Sequence, residues 1–154
     1  MQSIETLLEE HPFFMGMARE YLALIAGCAN NVRLDAGEYV FKEGDPADHF
    51  YLLRHGIVAL EIHAPGQGAI MIETRGPGDV LGFSWLFPPH RVRFDARVVE
   101  TVTATAFDGA CLRQHAQQDP RLGQELVQRF AEVLLDRLQA TRLQLLDVYG
   151  DSAR

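Results

Sequence analysis

The chain has 154 residues, 47% hydrophobic and 23% charged, with a formal net charge of −7 and a pI near 5.3. That length supports one domain with a real core, and the acidic balance argues against binding nucleic acid through bulk electrostatics. No apolar run approaches the roughly 20 residues of a membrane-spanning helix, and Met1-Gln2-Ser3-Ile4-Glu5 does not read as a signal peptide, so a cytoplasmic setting without membrane contact is expected.

Residues 1–29 read as a helical segment. Ser3 is placed to cap a first helix, with Glu5 in its first turn and Leu7 and Leu8 on its apolar side. Pro12 interrupts it, and His11-Pro12-Phe13-Phe14 reads as a docking turn. Tyr21, Leu22, Leu24 and Ile25 then repeat at helical spacing up to Gly27, a glycine suited to ending the helix. The two cysteines, Cys28 and Cys111, sit far apart in no metal-spacing motif, and buried, reduced structural thiols are expected.

Residues 30–108 change period from helical to two. Val32 and Leu34 alternate with Arg33 and Asp35, and short apolar strands follow at Tyr39-Val40-Phe41, Phe50-Tyr51-Leu52-Leu53, Ile57 to Ile62 and Ala69 to Glu73. Glycine-rich turns separate them, and Arg97-Val98-Val99 and Thr101 to Phe107 complete the set. Such spacing signals an all-β sandwich or barrel, and the lack of strand–helix alternation argues against a doubly wound nucleotide fold.

Within this region the stretch Gly76 to Arg97 carries the chemistry. Gly76-Pro77-Gly78 makes a tight turn, because glycine permits positive φ and proline presets φ at a corner. After Gly82, Ser84-Trp85-Leu86-Phe87 has room for one helical turn before Pro88 and Pro89 stop it. The free amides of that turn, around Ser84 and Trp85, suit an anion. Arg91 and Arg93 lie two residues apart and share a face on a strand. Gly82, Phe83, Ser84, Trp85, Arg91 and Arg93 therefore form a candidate pocket for a small anion; the alternative is a roll corner with solvated arginines.

Residues 109–149 read as C-terminal helices. Asp119-Pro120 is an N-cap followed by proline at the first helical position. Beyond it Val127, Ala131, Leu134, Leu138, Thr141, Leu145 and Val148 repeat at alternating steps of four and three, a heptad seam about three heptads long. Leu126, Phe130 and Val133 flank it, on the side expected to face the β-domain. A homodimer through Val127, Leu134, Leu138 and Leu145 is the expectation.

The histidines do not suggest a metal centre. His63 lacks a His-x-His partner on its strand, and His49, His55 and His90 are scattered over turns. No Gly-x-Ser-x-Gly elbow is present, and Ser84 has no sequence cue for a base. An enzyme is not expected, and no metal is assigned.

Ala36 to Ala47, Phe50 to Leu53, Gly56-Ile57-Val58 and Gly76 to Gly82, with Phe13-Phe14 before them, together resemble the cyclic nucleotide-binding domain. More narrowly they resemble the sensor domain of the catabolite-activator and Fnr regulator family, over nearly the whole chain. The resemblance implies an eight-stranded β-roll (a double-stranded β-helix, jelly-roll-like) with N-terminal helices, a long C-terminal helix and a ligand pocket beneath the Gly76–Arg97 stretch. Arg137 to Thr141 resembles the family's dimerisation helix, including the threonine that touches the adenine of cAMP; Arg142 follows where the catabolite activator has serine.

Departures from the family pattern bear on the ligand. The family places Glu after the glycine matching Gly82, where it accepts from the ribose 2′-hydroxyl; here Phe83 stands there. Loss of such a charge-assisted hydrogen bond, about 1.5–3 kcal/mol, lowers affinity roughly tenfold to a hundredfold. The family's phosphate arginine precedes Ser or Thr and then Ala, whereas the run here is Arg93-Phe94-Asp95-Ala96. Either Arg93 fills that role or a gap places Val92 there, and Asp95 beside a phosphate would repel it. No helix-turn-helix segment follows Tyr149, and two cysteines are too few for an iron–sulfur sensor. The expected function is a stand-alone module that binds a cyclic nucleotide or other small anionic ligand, with Thr141 and Arg142 over the pocket, and signals through its dimer helix. A ligand-free dimeric interaction domain is the alternative.

Overall fold

The computed structural model describes residues 3–152. Met1 and Gln2, part of the segment read as lacking a leader, lie outside the described residues, as do Ala153 and Arg154. Helix α1 (Ile4–Glu10) is capped as its sequence suggests, the Ser3 side chain accepting from the Thr6 amide. A 3-10 turn (Pro12–Phe14) and α2 (Arg19–Gly27) follow, then strands β1 (Ala29–Leu34), β2 (Tyr39–Phe41), β3 (His49–Ala64), β4 (Gly68–Arg75) and β5 (Val80–Leu81). A second 3-10 turn (Ser84–Leu86) leads to β6 (Asp95–Asp108), α3 (Gly109–Gln118) and the 33-residue α4 (Pro120–Ser152).

The strands form one antiparallel roll with β3 and β6 at its centre. The 16-residue β3 pairs with β5 through Tyr51 and Leu52 and with β4 from Val58 to Ala64. The 14-residue β6 pairs with β2 near its start and with β1 near its end. Each long strand thus serves two positions of the expected eight, which is why six continuous strands make the roll among the described residues. The β3–β6 register slips between Leu53 and Val58, around Gly56. Gly56 has φ 91°, and a Cβ there would stand 2.2 Å from the Thr101 carbonyl oxygen, so only glycine lets the two long strands approach at their shared bend.

Two clusters fill the interior. Leu53, Val58, Leu60, Leu81, Ala96, Val98, Val102 and Ala104 pack inside the roll. The larger cluster joins the roll's other end to the helices. There Phe50 stacks on Phe107 with centroids 4.4 Å apart, and Phe130 of α4 stands edge-on to Phe50 and Phe13. Leu122, Leu126 and Phe130, at steps of four, are the buried stripe of α4, with Val133 half-buried beyond them.

One expectation is corrected here. Cys28 and Cys111 form a disulfide across 83 residues of sequence rather than standing as separate thiols. The reason is topological: β1 pairs with β6 so that Ala29 lies opposite Phe107, which brings the end of α2 against the start of α3.

Candidate ligand pocket

The Gly76–Arg97 stretch is held at both ends by backbone contacts. Gly78 donates to Leu53 O, the Asp79 carboxylate accepts from the Gly76 amide at 2.9 Å, and Leu81 lies opposite Tyr51. Gly82 has φ 93° and its Cβ position lies 3.3 Å from His49 O, so a side chain there would press on β3. Beyond the 3-10 turn, Ala47 donates to His90 O, Val92 to Asp45 O and Gly44 to Val92 O. These bonds fix the Arg91–Arg93 segment against the Glu43–Ala47 turn.

Between this segment and α4 lies a cavity of roughly 300 Å³, at the small end of the range for small-molecule sites. It is lined by Phe83, Ser84, Phe87, Pro89, Arg91, Arg93, Phe94 and Leu134. Its walls are mainly apolar, and its two cations stand at the exposed rim. Arg91 donates to Gly44 O at 3.3 Å, and Arg93 has no hydrogen-bond or ion-pair partner among the described residues. Val92, between them, is buried in the core cluster, so the alternative that seats Val92 in the pocket does not match its direction. With a three-residue 3-10 turn the helix dipole is slight, which leaves the guanidinium groups as the main source of positive field.

The other sequence-read residues are placed differently. Gly82 shapes the backbone and does not line the cavity. Trp85, a member of the candidate pocket, is 1% exposed and stacks on Phe50 at 5.4 Å, so its side chain belongs to the core and does not line the cavity. Its carbonyl accepts from Arg113 and from His90 Nδ1, which pins the loop from inside. Thr141 lies seven residues past Leu134, about 10 Å along the helix. It lines a separate hollow against Met71 to Arg75 and donates to Arg137 O, and Arg142 lines neither cavity. Within one chain the structure does not bring Thr141 and Arg142 to the arginines. Asp95 is turned away from the cavity: one carboxylate oxygen accepts from the Glu43 amide at 2.7 Å and the other meets His63 Nε2 at 2.8 Å. The expectation that it stands beside a bound phosphate is corrected: its carboxylate does not line the cavity.

Arg137 is the residue that the sequence reading left unassigned. Its guanidinium carbon lies 4.6 Å from the centroid of the Phe83 ring, and it donates to Val80 O. Phe83 in turn stands edge-on to Phe130 at 5.5 Å. Burial, and secondarily the nearby Arg75, pulls the Arg137 guanidinium down to about 10, which still leaves it charged at neutral pH. Leu134 and Phe94 were also missed as wall residues, since no local pattern tells which turn of α4 crosses the pocket. A larger hollow, roughly 470 Å³, lies on the other side of Arg137. Its walls carry Arg75, Arg129 and Arg137 against Asp79, Glu132 and Asp136, so its charges balance and it offers an anion no advantage.

The cyclic nucleotide-binding domain family matches residues 31–119, more than half of the chain. The chain belongs to that family. A CRP-like cAMP-activated global transcriptional regulator of Mycobacterium tuberculosis is 26% identical over 145 residues, covering 94% of this chain and 63% of the relative. This domain therefore spans less than two thirds of that curated relative. A crystal structure of a protein described as cyclic nucleotide-binding, from Geobacter metallireducens, is 30% identical with TM-score 0.79, covering 90% of this chain and 99% of the other. The catabolite activator protein of Thermus thermophilus, 24% identical with TM-score 0.69 over 87% of this chain and 61% of its own, shares the fold. The β-roll with N-terminal helices and a long C-terminal helix is thus the family's architecture, and the domain is Crp/Fnr-like. Among the described residues no helix is long and apolar enough to cross a membrane.

Proposed function

We propose that this domain is a non-enzymatic regulatory module, cytoplasmic and homodimeric, that takes a small anionic or nucleotide-like ligand into the cavity beside Arg91 and Arg93. The single observation that carries the reading is the position of Leu134. It lines the cavity and also belongs to the heptad seam of α4, so a ligand there touches roll and helix together. A ligand that bridges the two shifts α4 by its differential affinity for two helix positions. Arg93, unpartnered at the rim, is the residue to receive the ligand's charge, and arginine suits bidentate contact with phosphate or carboxylate. cAMP itself binds weakly, because Phe83 stands where the family's ribose acceptor stands and its ring is already held between Phe130 and Arg137.

The test is calorimetry of the whole chain with cyclic mononucleotides, cyclic dinucleotides and small organic acids. At least one anion should bind, Arg93→Ala should weaken it roughly tenfold or more, and cAMP should stay above the micromolar range. Micromolar or tighter cAMP binding contradicts the ligand choice. The Phe83–Arg137 contact also favours the second reading, a ligand-free interaction domain in which Arg137 packs on the ring that stands in place of the ribose acceptor; no binding by any anion, with the dimer intact, supports it.

A further inference from the structure

Away from the pocket, three ligating groups converge where α2, β1 and α3 meet. Cys28 caps the C-terminus of α2, Cys111 lies in the first turn of α3, and His115 follows one turn later on the same face. The two sulfurs and a ring nitrogen of His115 all lie within 4.8 Å of one another. Cys28 is buried, while Cys111 and His115 are half-buried, so the cluster is reachable from one side only. Two soft sulfurs and one imidazole are the donor set of a zinc-class cation, not of magnesium or calcium.

We propose that Cys28, Cys111 and His115 form a redox-gated metal site, closed as the disulfide and able to hold a zinc-class divalent cation when reduced. A dithiol reductant supplies two electrons: the Sγ–Sγ bond breaks, Cys28 and Cys111 become thiols, and the reductant leaves as its own disulfide. The cation then displaces both thiol protons and binds the neutral imidazole of His115, so metal arrival releases two protons. In a tetrahedral zinc site the sulfurs stand roughly 3.7 Å apart. Side-chain rotation reaches that separation without backbone motion, given a Cα–Cα distance of 5.7 Å. A fourth position is left for water or a small ligand. Both closed states staple α2 to α3, and α3 runs through Asp119 directly into α4. The Asp119 carboxylate at the α3–α4 joint lies near enough to the Tyr21 hydroxyl of α2 to raise the phenol. The metal-free thiol form lacks the staple, so redox state and metal together set how firmly the base of α4 is held.

The experiment uses the whole chain, reduced with a phosphine, desalted without oxygen and titrated with Co²⁺ and then Zn²⁺. One Co²⁺ per chain should bind with a thiolate charge-transfer band and tetrahedral visible bands, and Zn²⁺ should bleach them. Oxidised protein should show neither. His115→Ala, which leaves the disulfide in place for folding, should weaken Co²⁺ binding roughly tenfold or more once reduced. Cys111→Ser should abolish the charge-transfer band. The proposal is overturned by reduced protein without the band, by two chains per metal, or by His115→Ala binding as the parent does. It is equally overturned by a reduced chain that loses its far-UV dichroism and does not regain it with Zn²⁺.

Discussion

At the scale of single residues, His11 shows how one side chain can tie the N-terminal segment to the ligand stretch. The Phe13 amide donates to His11 Nδ1 at 3.1 Å, so the ring proton sits on Nε2 and is donated to Gly78 O, also at 3.1 Å. Burial lowers the imidazole below its usual value of 6.5, and the Gly78 contact only partly offsets this. Protonation would place a hydrogen on Nδ1 and eject the Phe13 amide. The unfolded chain then binds the proton more readily than the folded one, so stability from His11 is complete above about pH 6.5 and is lost as pH falls through the lower folded value. Denaturant midpoints should decline over that window. His11→Ala should flatten this decline and lower stability by about 1–2 kcal/mol at neutral pH. An unchanged pH slope in the variant would assign the decline to other groups.

At the scale of elements, the outcome depends on long strands that turn corners. Gly56→Ala would drive a methyl group into the Thr101 carbonyl at a backbone angle alanine avoids, and a loss of roughly 3 kcal/mol or more is expected by chemical denaturation. Phe130→Ala would empty the centre of an aromatic cluster with Phe13, Phe50, Phe83 and Trp85, at about 3–5 kcal/mol. Because Phe130 supports Phe83, that variant should also loosen the pocket wall, seen as weaker ligand binding in the still-folded fraction. These elements were legible in the sequence for a stated reason. Gly56 and Gly82 stand among the glycines that carry the family resemblance, and both take a positive φ; the period of two from Val32 onward reports a face turned inward. What stayed hidden depended on contacts between distant segments. The Cys28–Cys111 bond needs the β1–β6 pairing to bring its ends together. Asp95 looks like a ligand's neighbour until its strand direction turns it to Glu43 and His63. Arg137 reads as one more polar position on a helix, and only the crossing of α4 over Phe83 gives it a place.

At the scale of the whole molecule, α4 outgrows the domain it is packed on. Its buried stripe ends with Phe130, yet the helix continues to Ser152. Along that length Leu135, Leu138, Leu143, Leu145, Leu146, Val148 and Tyr149 are all exposed, from 46% for Leu138 to 70% for Tyr149. A monomer that leaves so long an apolar stripe in water is unusual, and such stripes mark contact sites. Ile70, Met71 and Ile72 of β4 add exposed apolar surface, and Met71 and Ile72 line the hollow they share with Thr141. A second copy of the chain, with its α4 parallel to the first, would cover the seam through Val127, Leu134, Leu138 and Leu145 and bring the two pockets to opposite sides of one helix pair. In such a pair Leu134 would carry ligand occupancy to the partner helix. Replacing both Leu138 and Leu145 by Glu would place like charges at the seam, where they have no partners. Light scattering should give the mass of two chains for the parent and one for the double variant. Far-UV dichroism of the roll should stay intact in that variant, because neither residue is part of the core. A parent of single-chain mass at micromolar concentration would refute the dimer and leave the exposed stripe to a different protein.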